Sequence, residues 1–131
     1  MTTVPSDVVR ALYATLNRGD VPAFLGLLDE EVAWTEQEGF PYYTGPWHGP
    51  QAVLKGLVLR LAQDWDNFAA TADDFITEGD RVVSFGAYSG IYKATGKHMR
   101  ATFAHRWEMR DGKITRFDMF TDTLLIDRAL H

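Results

Sequence analysis

The chain contains no cysteine, which excludes disulfides and thiolate metal sites and makes a reducing compartment, the cytoplasm, its expected home. It lacks any apolar run near the about 20 residues of a membrane helix. Met1 to Ser6 carries no basic residue ahead of an apolar stretch, so no secretory leader is read there. Basic clusters are missing too. Lys and Arg number 13 against 18 Asp and Glu, a net charge of −5, whereas a surface that neutralises phosphates needs the opposite balance. Neither nucleic acid nor a membrane is expected as a partner. The histidines at 48, 98, 105 and 131 show no metal-ligand spacing, so no metal site is expected. Thr95-Gly96-Lys97 lacks the upstream glycine of a phosphate loop, and Ser84 and Ser89 stand outside any nucleophile-elbow sequence.

What the chain has in quantity is apolar and aromatic surface. Its 131 residues are 46% hydrophobic and 13% aromatic, enough for one domain over 1–131 with a real core and rings to spare for a pocket. The first half reads as helical. Ser6 is the expected N-cap of a helix carrying Val9, Leu12, Tyr13 and Leu16 at helical spacing, ended by Gly19. Asp20 and Pro22 open a second helix with Phe24, Leu27 and Leu28 as its stripe. Val32 to Trp34 is a short strand. Residues 35–50 form a loop rich in aromatics, long enough to be functional. A third helix follows from Pro50, with Val53, Leu54, Leu57 and Leu61 on one face.

The second half changes period. Strands are expected over Phe68–Thr77, Arg81–Tyr92, His98–Met109 and Ile114–Asp122, then a short segment over Leu124–Leu130. In the 98–109 strand Met99, Ala101, Phe103, His105, Trp107 and Met109 share one face. The layout is α+β, with helices covering one face of a mostly antiparallel sheet and the other face left for water or a second copy.

His105 is the one polar residue on that apolar face, either a satisfied core histidine or a proton-transferring one. Its acidic partner depends on the hairpin at Asp111-Gly112. A two-residue loop sets Asp118 beside His105; a three-residue loop with a bulge turns Phe117, Met119 and Thr121 to that face instead. Hydrophobic patterning prefers the second. A further bulge near the end of the strand returns Asp122 to the cavity rim, where its other role is capping the last segment.

Several runs, in order, resemble one family. They are Tyr43-Thr44-Gly45, Trp47 through Val53, Glu78-Gly79-Asp80-Arg81, Phe103-Ala104-His105-Arg106-Trp107, Asp111-Gly112-Lys113-Ile114 and Phe117 through Thr123. Together they resemble the SnoaL-like, ketosteroid-isomerase-like branch of the nuclear transport factor two superfamily. The resemblance implies a cone: a curved sheet wrapped around about three N-terminal helices, an apolar pocket, and a homodimer. It implies cofactor-free proton-transfer chemistry on an apolar, oxygenated small molecule, of isomerase, cyclase or hydratase and epoxide-hydrolase type. A non-catalytic binding module of the same fold is the alternative. It also points to His105 and Asp122 as site residues. Met119 stands where relatives often carry an acid, which leaves the pocket drier. The expected catalytic set is His105, Asp122 and, with less support from patterning, Asp118. Tyr13, Trp34, Tyr42, Tyr43, Phe103, Trp107 and Met119 are expected to shape the cavity.

Overall fold

The computed structural model describes residues 4–131, so the reading of Met1 to Thr3 lies outside the described residues. Helix α1 (Pro5–Asn17) begins before the expected Ser6 cap. Pro5 takes the first helical position, where its missing N–H leaves nothing unpaired, and Val4 precedes it without a side-chain cap. Helix α2 (Val21–Gly26) is capped by Asp20, which accepts from the Ala23 N–H. It stops sooner than its apolar stripe predicts. Leu28 instead opens β1 (Leu28–Thr35), whose partner is Ile114, and the Ile114 N–H donates to the Leu27 carbonyl. A sheet pairing has overridden local helical spacing.

The loop beyond β1 contains a two-residue strand, β2 (Trp47–His48), paired with Ala33 and Trp34. The third helix is interrupted. Helices α3 (Pro50–Val53) and α4 (Leu59–Asp64) are joined by a π-helical turn over Leu54–Val58. Then come β3 (Trp65–Glu78), β4 (Arg81–Tyr92), β5 (His98–Arg110), β6 (Lys113–Thr121) and helix α5 (Thr123–Ala129).

The six strands form one sheet in the order β2-β1-β6-β5-β4-β3. Every pairing is antiparallel except β1 with β6. Register shifts in β3 at Asp66/Ala69 and Ala72/Asp74 bend the long β3–β4 ribbon. The bent sheet lays its inner face against the helices. All six residues of the alternating β5 face, Met99 to Met109, are buried there with Leu12 and Tyr13 of α1. The fold is α+β with a curved, open, mostly antiparallel sheet, as the sequence predicts.

The β5–β6 hairpin combines both expected alternatives. Its turn has two residues: Arg110 pairs with Lys113, and Asp111 and Gly112 both adopt left-handed backbone (φ 53° and 75°), the type I′ requirement. The register then slips one residue later in the strand. Met109 pairs with Ile114 but Glu108 with Arg116, so Thr115 is the extra residue of a bulge. Beyond it His105 faces Met119, and Phe117, Met119 and Thr121 take the places that the bare turn would give to Arg116, Asp118 and Phe120.

Candidate active site

The inner face of the sheet presents a polar thread through aromatic packing. His105 is 3% exposed and lies flat on Phe103, ring centroids 3.9 Å apart and planes within 6°. Both ring nitrogens are engaged. The Tyr13 hydroxyl lies 2.6 Å from Nδ1, and the Tyr88 hydroxyl 2.5 Å from Nε2. Tyr13 also lies 2.6 Å from Ser84 Oγ, which accepts from Trp107 Nε1–H at 2.9 Å. Burial holds the His105 pKa well below 6.5, and pushes both phenols above their ordinary value of 10.0. The imidazole is therefore neutral at physiological pH and the tyrosines are protonated.

A small cavity of about 30 Å³ lies beside this thread. Of the residues singled out in the sequence, Tyr13, Trp34, His105, Trp107 and Met119 border it. Tyr42, Tyr43 and Phe103 do not. Tyr42 is drawn aside by Asp64, to which it donates at 2.6 Å. Tyr43 packs edge-on against Trp47, and Phe103 is covered by His105. Phe40 supplies the aromatic wall from the 35–50 loop instead.

The acids move as well. Asp118 points to the outer face of the sheet, where Arg106 and Arg116 both reach its Oδ2, at 3.0 and 2.9 Å. The Thr115 bulge is what turned it outward. Asp122 is exposed and caps α5, accepting from the Leu124 and Leu125 N–H groups. Neither is a hydrogen-bond partner of His105, so the expected carboxylate–imidazole pair is replaced by two tyrosines. Asp118→Asn is accordingly expected to leave any turnover unchanged. It should destabilise the fold by about 1 kcal/mol, less at high salt, because both guanidinium groups are nearly half exposed. Urea titrations at two salt concentrations check this.

The carboxylate that does reach the cavity is Glu36. It lies just past the end of β1, 5% exposed, among Trp34, Phe40 and Met119. Burial pushes its carboxyl up to about 8, with the Trp34 indole N–H pulling the other way. That indole does not meet the carboxyl in bonding geometry: Trp34 Nε1 and Glu36 Oε2 are both buried without a hydrogen-bond partner. The sequence held a signal for it. Val32, Trp34 and Glu36 are spaced by two, so strand alternation carried one residue past Trp34 puts Glu36 on the buried face. Tyr88 and Ser84 were legible in the same way, sharing an inner face with Val82.

Among the described residues no three His, Asp or Glu side chains gather as a metal ion would need, and no helix is long and apolar enough to cross a membrane. Residues 9–117 match the model of the SnoaL-like domain. No curated protein matches the chain. Among solved structures, an NTF2-like protein from Burkholderia thailandensis is 34% identical, with 99% of each chain covered and a TM-score of 0.92. TerC, co-crystallised with polyporic acid, is 27% identical over 96% of this chain and 97% of its own, TM-score 0.85. IdmH from Streptomyces antibioticus, a candidate polyketide cyclase, shares the fold at 20% identity, 98% and 99% coverage and a TM-score of 0.82. With the family model spanning residues 9–117 and an NTF2-like relative matching at 34% identity over 99% of the chain, this chain belongs to the SnoaL-like family of NTF2-like proteins.

Proposed function

We propose that this protein is an enzyme that moves a proton on an apolar, carbonyl-bearing small molecule, with Glu36 as the acid and base. The observation that carries the reading is the unpartnered Oε2 of Glu36, buried in an apolar cavity. An orphaned buried carboxyl is costly to keep, and a ligand that meets it offsets that cost. A carboxyl near 8 is divided between its acid and base forms close to neutral pH, as a proton shuttle requires. The base form takes a proton from the carbon beside the carbonyl. The C–H electron pair becomes the C=C bond of an enolate, and the carboxyl returns the same proton to another carbon. His105, which the sequence makes the proton carrier, becomes a positioning group with both nitrogens committed. The small molecule bound by the relative TerC is consistent with an apolar, oxygenated ligand.

The cavity is too small for such a ligand at rest; ligand sites run to a few hundred Å³. An outer hollow of about 360 Å³ shares Leu16, Leu61 and Phe68 with it. Rotation of those three side chains would join the two, beside the π-helical turn over Leu54–Val58. The test is C–H exchange in D₂O with a set of cyclic ketones and quinones, followed by NMR. Wild type is expected to accelerate exchange and Glu36→Gln to abolish the acceleration. Tight binding with no exchange anywhere in the set would sink catalysis in favour of a binding module, the reading favoured by the full engagement of His105.

The same proposal includes a homodimer through the outer sheet face. Phe85, Ala104 and Phe120 lie side by side across β4, β5 and β6, and the two phenylalanines are 37% and 51% exposed. Wild type should sediment as a dimer and Phe120→Glu as a monomer; a monomeric wild type rules this out.

A further inference from the structure

The hydrogen-bonded thread has a direction, and the direction decides which hydroxyl is free. Trp107 Nε1 can only donate, and it donates to Ser84 Oγ. The neutral imidazole carries one ring proton, so two arrangements complete the thread. In the first, Ser84 donates to Tyr13, Tyr13 to His105 Nδ1, and His105 Nε2–H to Tyr88, each over a 2.5–2.6 Å contact. The proton left over is that of Tyr88. In the second, Tyr88 donates to Nε2, Nδ1–H to Tyr13, and Tyr13 to Ser84. The proton left over is then that of Ser84.

These two ends differ in their surroundings. Ser84 is fully buried, and its hydroxyl meets only Tyr13 and Trp107. A proton stranded there finds no acceptor among the side chains around it. Tyr88 borders the cavity that Glu36 also borders, and Glu36 is close enough to raise its pKa. Its leftover proton faces space that an occupant can fill. The first arrangement is therefore favoured; Trp107 donates to Ser84 in either and leaves the choice to the two ends.

We propose that Tyr88 is the hydroxyl that holds the substrate's carbonyl oxygen, and that Trp107, Ser84, Tyr13 and His105 act behind it as positioning residues. The proposal deepens the reading of a carbonyl-bearing ligand beside Glu36 and rests on it. Tyr13, which reaches the thread from α1, is thereby excluded from the role: its proton is spent on His105. As charge develops on the enolate oxygen, the Tyr88 O–H strengthens its bond while His105 Nε2–H supports the phenol from behind, the preorganised arrangement that electrostatic catalysis needs.

Two measurements decide it. The first needs no ligand: long-range ¹H–¹⁵N correlation at pH 7 on protein with ¹⁵N-labelled histidine. The expected tautomer of His105 is Nε2–H. An Nδ1–H tautomer means that Tyr88 donates to the ring, and the assignment falls. The second uses 1-tetralone, an apolar bicyclic ketone, and tetralin, the same skeleton without the oxygen. Tyr88→Phe should weaken tetralone about tenfold or more and leave tetralin unchanged. Equal loss of both makes Tyr88 merely structural, and no loss of tetralone removes it from the oxygen; either overturns the assignment while leaving the ligand-cavity reading intact. If wild type binds neither compound, the ligand-cavity reading fails and Tyr88 falls with it.

Discussion

Glu36→Gln should remove the alkaline decline of stability and, with it, turnover. The carboxyl rises from an ordinary 4.5 to about 8 in the folded chain. A raised folded pKa gives stability that is complete below 4.5 and lost as pH climbs through 8, because the unfolded chain releases the proton first. Each pH unit in that window costs about 1.4 kcal/mol, so the window is worth about 5 kcal/mol. His105 acts with the opposite sign. Its folded pKa lies well below 6.5, so its contribution is present above 6.5 and lost as pH falls. From 4.5 to 6.5 the two slopes oppose each other, and above 6.5 only Glu36 acts. Wild type should therefore hold a plateau at mildly acid pH and weaken from about 6.5 to 8. The Gln variant should instead gain stability up to 6.5 and then stay level. Urea unfolding at pH 5.5, 7 and 9 reads the two curves, and parallel curves above 6.5 would mean that Glu36 is ionised in the fold. The same substitution deletes the proposed acid and base. The expected loss in rate is about 10²–10⁴-fold, and the wild-type rate should turn near pH 8, where the Glu36 carboxyl titrates.

The sequence made the sheet legible because most of its pairings are local. The β4 and β5 strands meet across one short turn, and the apolar alternation of 98–109 survives unchanged in the fold. The turn at Asp111-Gly112 was legible from its own chemistry. The bulge at Thr115 was not, although its consequence was: burying Phe117 and Met119 outweighs burying Arg116 and Asp118, so patterning found the right face by a different device. Glu36 escaped because its neighbour in space is far away in sequence. Trp34 pairs with Phe117 and Thr35 with Asp118 in the one parallel pairing of the sheet, and the local sign that β1 continues to the edge of the cavity is no more than the alternation of Val32, Trp34 and Glu36. An imidazole in such a face also needs no carboxylate to be satisfied. Two phenols satisfy both nitrogens of His105 as fully, with Ser84 behind Tyr13, and bury no charge.

Gly86→Ala is expected to cost more than any other single methyl added to this sheet. A Cβ at Gly86 would stand 2.0 Å from the Thr71 carbonyl oxygen and 2.7 Å from Ala72 Cα, both backbone atoms of β3. No rotamer relieves that contact; the strands themselves must part. The crowding occurs where β3 bends, since Gly86 pairs with Ala72 and the register shifts between Ala72 and Asp74. The bend wraps β3 over the inner face that carries Ser84, Tyr88 and His105. Parting the strands should destabilise by about 3–5 kcal/mol, above the usual cost of overpacking because backbone must move, and lower Tm by roughly 10 °C or more. Gly90 lies on the same face two pairs along and is the control. Its added Cβ would meet Trp65 and Phe68 no closer than 3.3 Å, and the nearest atom belongs to a side chain that can give. Gly90→Ala should cost about 1 kcal/mol. If the two alanines cost the same, close backbone approach does not set the curvature. If only Gly86→Ala is costly and it also disturbs the His105 ring protons, then the bend that shapes the sheet is also what brings Tyr88 to the imidazole.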